Sequence, residues 1–221
     1  MLTVPSEVAS RPLPLVVIGV SVLCSAAFLY ALTLPAAELG SWIERWGLVS
    51  REVVREAGEG GVGRRWLTPW SAVFLHASLA HLCGNLFYLW LFGEALEAAL
   101  GSVRFVALFL VSALAAALVH MAAVPGAYLP AVGASGAISG LVGAYLIVHR
   151  STPLRRRWYP LGLSPGVFMG LWCLFVLLGG LLSSPGYAAW SHLGGFLAGA
   201  TFCGVLALRR RSPKPACSGE G

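Results

Sequence analysis

Six apolar stretches, separated by polar or Gly/Pro-rich segments, account for most of this 221-residue sequence. They run over about 13–34, 80–100, 103–124, 134–149, 165–182 and 187–208. A helix needs about 20 predominantly apolar residues to cross the hydrocarbon core of a bilayer. Gly and Pro mark the gaps, as in VPGAYLP at 124–130 and SSPGYAA at 183–189. Only 11% of the residues are charged, against about 25% in soluble domains. So few charges cannot cover a water-facing surface. The expected fold is all-α, a polytopic membrane protein built as a six-transmembrane-helix bundle. The expected division is an N-terminal tail at 1–12, a membrane domain at 13–208 with a long external loop at 35–79, and a basic tail at 209–221. The first stretch is longer than a signal-peptide core and has only Arg11 upstream, so it reads as a retained span.

The net charge of +6 does not indicate a nucleic-acid partner, because the basic residues sit in short clusters between apolar runs. Their distribution sets an orientation instead. Arg11, Arg104, Arg150, Arg155 to Arg157, Arg209 to Arg211 and Lys214 all fall on one side of a six-span topology. The other side carries Arg45, Arg51, Arg55, Arg64 and Arg65, matched by Glu38, Glu44, Glu52, Glu56 and Glu59. The positive-inside rule makes the first side cytoplasmic, with both termini inside. The expected location is the bacterial inner membrane, with the lipid bilayer itself as a partner. Trp42, Trp46, Trp66 and Trp70 in the 35–79 loop suit a segment lying at the bilayer interface. The stretch GEGGVG at 58–63 reads as a turn within it. Cys24, Cys83, Cys173 and Cys203 lie in apolar segments and read as small buried hydrophobes; with Cys217 they form no CxxC pair and imply no disulfide framework.

Polar residues inside spans are functional candidates, because lipid penalises them. His81 and Asn85 open the second span, Ser135 and Ser139 the fourth, and His192 lies in the first turns of the sixth. These three spans all run from outside to inside, so their polar groups share one depth near the outer face. The chain has no Asp, no Gln and a single Asn, which excludes a Ser-His-Asp triad. A two-residue dyad remains: Ser135 as nucleophile and His192 as general base. Gly133 and Gly136 flank Ser135 at a helix start, where free N–H groups favour a developing oxyanion. Asn85 can donate its side-chain amide to the same oxygen. Gly136 and Gly140 in the fourth span, extended by Ser139 and Gly143, face Gly195 and Gly199 in the sixth as small surfaces permitting close approach.

The remaining polar groups read differently. His120 is a buried polar partner, and His149 is interfacial. His76 either structures its loop or assists the site. Glu94 is solvated near the inner interface. Glu97 bonds backbone or caps a loop at the inner end, too far from His81 to complete a triad. His76, His81 and Cys83 do not share a helix face and have no nearby carboxylate, so no metal site is expected.

These residues resemble the motifs of the rhomboid family of intramembrane serine proteases. Arg65-Trp66-Leu67-Thr68 leading to Phe74-Leu75-His76 is similar to the family's approach to its second helix. His81 to Asn85 matches HxxxN, Glu97 to Gly101 ExxxG, Gly133 to Gly136 GxSG, and His192 with Gly195 and Gly199 HxxGxxxG. The resemblance covers roughly residues 64–200. It implies a serine endopeptidase without cofactor, with Ser135 as nucleophile and His192 as base. His81, Asn85 and the Ser135 backbone N–H would form the oxyanion hole, in a water-filled depression open to the outside. It implies transmembrane proteins as substrates, cut often after a small residue and only once the helix has unwound. Some relatives place an aromatic ring four residues after the serine, against the catalytic histidine. That position is Ser139 here, which leaves Trp190 or a residue of span five to hold the His192 ring. A non-catalytic relative that binds or chaperones membrane proteins, and a transporter using the same polar cavity, are the competing readings. The oligomeric state is open.

Overall fold

The computed structural model describes residues 13–61, 63–148, 167–174 and 187–211. The chain runs through α1 (Leu15–Thr33), α2 (Ala36–Trp46), α3 (Ser50–Gly58), a 3₁₀ turn (Arg64–Leu67), α4 (Thr68–Ser71), a second 3₁₀ turn (Ala72–Phe74), α5 (Leu79–Leu100), α6 (Ser102–Ala123) and α7 (Ser135–Val148). Helical residues 167–174, termed α8, and α9 (Tyr187–Arg211) follow. No β-strand forms among the described residues, which agrees with the all-α expectation. Helices α1, α5, α6, α7 and α9 coincide with the first, second, third, fourth and sixth expected spans to within a few residues. Of the fifth span only 167–174 lies among the described residues, and His149 and the 150–157 arginines fall outside them. Helix α9 continues to Arg211, so the basic tail begins inside a helix rather than after it.

Length and composition let α1, α6 and α9 each cross a bilayer alone. Helix α5 does so together with the Arg64–Phe74 segment, from which it is bent by 84°. The 14-residue α7 is shorter than a bilayer requires. The bundle interior holds Leu89, Phe92, Leu96, Phe105, Leu108, Ile138 and Leu141, all fully buried. Leu15, Val22, Leu23, Leu29 and Leu32 on α1 point away from it, as side chains facing lipid do.

The 35–79 loop is structured. Three short helices, α2 to α4, and two 3₁₀ turns occupy most of it. The Arg64 and Arg65 guanidiniums donate to the Arg45 and Glu44 carbonyls at the end of α2. Trp42 packs against Tyr30 with the two rings tilted, and Arg45 lies over the Trp46 ring. Trp66 and Trp70 pack instead against protein: Trp66 on the Leu48–Val53 cluster, Trp70 on the main core. Two of the four interfacial candidates therefore serve to dock the loop. Cys24 and Cys203 are buried, whereas Cys83 and Cys173 lie on the outer surface of the bundle, contrary to the expectation that all four are interior.

Glu97 ties three helices together. Its carboxylate is 4% exposed. It accepts from the Val16 and Val17 N–H groups at 3.1 Å each, and from the Ser102 hydroxyl at 2.7 Å. The first N–H groups of a helix lack intrahelical partners, and the helix dipole favours an anion there. The Glu97 side chain on α5 thus caps α1 and reaches the start of α6. Gly101, at φ +80° and ψ 154°, makes the tight joint between α5 and α6 in a conformation that side chains disfavour.

Helices α7 and α9 meet backbone to backbone. A Cβ on Gly195 would collide with the Gly136 carbonyl, and one on Gly199 with the Gly140 carbonyl. A Cβ on Gly140 would lie 2.9 Å from the Gly195 oxygen. The neighbouring Gly194 turns towards α6, where a Cβ would sit 2.7 Å from the Ala115 carbonyl. In lipid, where apolar burial drives little association between helices, such contacts supply dispersion and close packing.

Two outcomes are expected. Glu97→Ala, which orphans the α1 N–H groups, should lower stability in detergent by about 1.5–3 kcal/mol, with Glu97→Gln losing less; an unchanged thermal midpoint for Glu97→Ala removes the capping role. Gly199→Val should destabilise strongly, whereas Gly204→Val on the same helix, where a Cβ meets nothing within 4 Å, should be nearly silent.

Candidate active site

The segment between α6 and α7 is strapped to the 35–79 loop by backbone hydrogen bonds. Leu48 and Ala131 exchange a pair, at 3.0 and 2.8 Å. The Arg51 N–H donates to Ala127 O at 3.0 Å and the Gly133 N–H to Ala72 O at 2.9 Å. These bonds deliver the chain to Ser135, the half-buried first residue of α7. The N–H groups of that first turn have no intrahelical acceptor.

Ser78 caps α5. Its hydroxyl accepts from the His81 N–H at 3.1 Å, as a helix N-cap does. Four residues apart, His81 and Asn85 share a face of α5. That face meets Gly133. Gly133 has φ +118°, and a Cβ there would stand 2.7 Å from His81 Nε2 and 3.6 Å from Asn85 Nδ2. Glycine is required twice over, by conformation and by space. Asn85 is 3% exposed, and its Nδ2 has no hydrogen-bond partner among the described residues. His76 stands edge-on to His81, ring centroids 5.1 Å apart, with its own Nδ1 at 3.2 Å from Phe74 O. It thereby buttresses the His81 ring.

His192 enters from α9. Gly136, the residue after Ser135, packs beside Ser191, the residue before His192. The Gly136–Gly195 contact one turn on holds the two helices in this register. Ser135 and His192 therefore sit at one level on touching helices, but no hydrogen bond joins them. Neither ring nitrogen of His192 has a partner among the described residues. Beside Ser135, and lined by it, is a cavity of about 60 Å³, bordered also by Gly133, Gly136, Ser191, His120 and the alanines of α6. At about 10–15 Å³ per water it has room for several.

The question of what holds the His192 ring has an answer in span five. Trp172 of α8 lies edge-to-face against His192, ring centroids 5.9 Å apart at 83°. Its indole N–H donates to Ser139 Oγ at 3.1 Å. Trp190, the other candidate, is 44% exposed. Sequence reasoning did not single out Trp172, since nothing local marks it: it lies 33 residues from Ser139. The sequence analysis did not single out Ser78 either; its signal is a serine just ahead of an apolar helical run, which marks a cap only once the start of α5 is known. Glu97, at the opposite end of α5, takes no part in this group.

A family model described as a Rhomboid domain matches residues 63–209. The chain is 32% identical to "RHOMBOID-like protein 5" of Arabidopsis thaliana over 167 residues, which cover 76% of this chain and 50% of that protein. It is 39% identical to "Rhomboid protease GluP" of Bacillus subtilis (strain 168) over 87 residues, 39% of this chain and 16% of that one. The chain thus spans at most about half the length of these two relatives. The domain match runs from the loop that docks beside Ser135 into the last turn of α9, and with it this chain belongs to the rhomboid family of integral membrane proteins.

Proposed function

We propose that this protein is an intramembrane serine endopeptidase that hydrolyses peptide bonds in or near transmembrane segments of other membrane proteins. Ser135 Oγ attacks the scissile carbonyl as its proton passes to a ring nitrogen of His192. The oxyanion accepts hydrogen bonds from Asn85 Nδ2, from His81 and from the Ser135 N–H. His192 then protonates the departing amine, and water hydrolyses the acyl-serine by the same relay in reverse. Catalytic hydrogen bonds commonly tighten only in the substrate complex, and this reading requires that of the Ser135–His192 pair.

The observation that carries the reading is the Asn85 amide. A buried donor left without an acceptor costs about 1–3 kcal/mol. Here it stands beside Gly133, two residues before a serine at a helix start, and an oxyanion formed on that serine's substrate would satisfy it. Gly136, Gly195 and Gly199 serve the dyad by bringing its two helices together. A substrate helix must expose a scissile carbonyl from its own hydrogen-bond ladder, so helix-weakening residues in the substrate should speed cleavage. The arginine distribution supports an outward-facing site with the basic clusters in the cytoplasm.

The reading is tested with tagged single-span substrates co-expressed with the protein. Ser135→Ala and His192→Ala should abolish cleavage, and a fluorophosphonate should label the wild type but not Ser135→Ala. A wild type that neither cuts any substrate of the panel nor takes the label overturns the proposal. Asn85→Ala should lower kcat by about 100- to 1,000-fold, the usual cost of one oxyanion donor; wild-type turnover would remove Asn85 from the mechanism.

A further inference from the structure

A general base works only if its nitrogen faces the proton it takes. The outer torsion of a histidine side chain is soft, so the ring needs an external restraint. Hydrogen bonding provides none here among the described residues, because both ring nitrogens of His192 lack a partner. The aromatic ring that lies against it is the indole of Trp172, edge-to-face. Aromatic pairs favour edge-to-face and offset geometries over a face-to-face sandwich, which resists rotation of either ring.

The indole is itself fixed from two other helices. Its N–H donates to Ser139 Oγ at 3.1 Å, and donor and acceptor are both almost wholly buried. Ser139 lies one turn after Ser135, on the same side of α7. Tyr88 packs against the indole with centroids 4.5 Å apart at 61°. Tyr88 follows His81 by seven residues and Asn85 by three, on the same face of α5. One side chain of α8 thus touches the helix of the nucleophile, the helix of the oxyanion donors and the imidazole of the base.

Resting on the proposed dyad, we propose that Trp172 is a positioning residue: clamped by Ser139 and Tyr88, it sets the orientation of the His192 ring towards Ser135. It touches neither substrate nor reacting atoms. Its loss therefore acts on turnover and leaves substrate binding intact.

The test uses the full-length protein in detergent micelles with a cleavable single-span substrate. Turnover is normalised to sites titrated by exhaustive fluorophosphonate labelling, so unfolded protein is not counted. Trp172→Leu should lower kcat by about 10- to 100-fold, the scale of a misplaced catalytic group, with KM nearly unchanged. Trp172→Phe keeps a ring against His192 and should recover activity to within about fivefold of wild type. Ser139→Ala removes only the indole's acceptor and should lower kcat by about three- to tenfold. If Trp172→Leu does not fold, Ser139→Ala and Trp172→Phe still decide the matter. Wild-type kcat in Trp172→Leu, or in Ser139→Ala where only that variant folds, overturns the inference. So does a rise in KM at constant kcat, which would make Trp172 a substrate contact. In either case an active, labelled wild type leaves the dyad standing; a wild type that neither cuts nor labels removes both.

Discussion

The backbone contact between α7 and α9 is the interaction from which the rest of the site follows. Ser135 and His192 come from segments more than fifty residues apart. They reach the same level only because Gly136 and Gly140 on one helix admit Gly195 and Gly199 on the other without intervening side chains. In water such an interface would be assisted by apolar burial. In lipid that assistance largely vanishes, and small residues that bring backbones within contact become the main source of attraction. The glycines therefore fix both the strength of the pairing and its register, and the register decides which residues of the two helices are neighbours.

Around that pair the site is completed from two directions. The 35–79 loop holds the approach to Ser135 through backbone hydrogen bonds at Leu48, Arg51 and Ala72. Helix α5 supplies His81 and Asn85 against Gly133, with Ser78 setting where the helix begins. At the far end of the same helix, Glu97 gathers the starts of α1 and α6. A single span thus gathers other helices at one end and meets Gly133 at the other. Glu97, although on the same helix as His81 and Asn85, therefore lies apart from them.

The Trp172 arrangement shows how a local sequence departure can be answered at a distance. Ser139 is too small to reach the His192 ring, yet its hydroxyl is an acceptor. An indole from α8 uses that acceptor and fills the space beside the imidazole. The serine and the tryptophan form one unit, and neither has an evident purpose without the other.

The sequence by itself determined the class of the protein, most helix positions and the identity of the polar residues at one depth. Those conclusions rest on local properties: apolar length, charge balance, and spacing along one helix, such as His81 to Asn85 or Gly195 to Gly199. The role of Glu97 was legible only as far as a bond to backbone or a loop cap; that its partners are the Val16 and Val17 N–H groups, some eighty residues earlier, was not. The tertiary structure alone decided that the 35–79 loop is folded onto the approach to Ser135, that Cys83 and Cys173 face outward, and that Trp172 rather than Trp190 lies against His192. Each of these depends on which surfaces of distant helices meet. Helical periodicity orders the residues around one axis, but the rotation and depth of one helix against the next are set by the packing of many side chains at once.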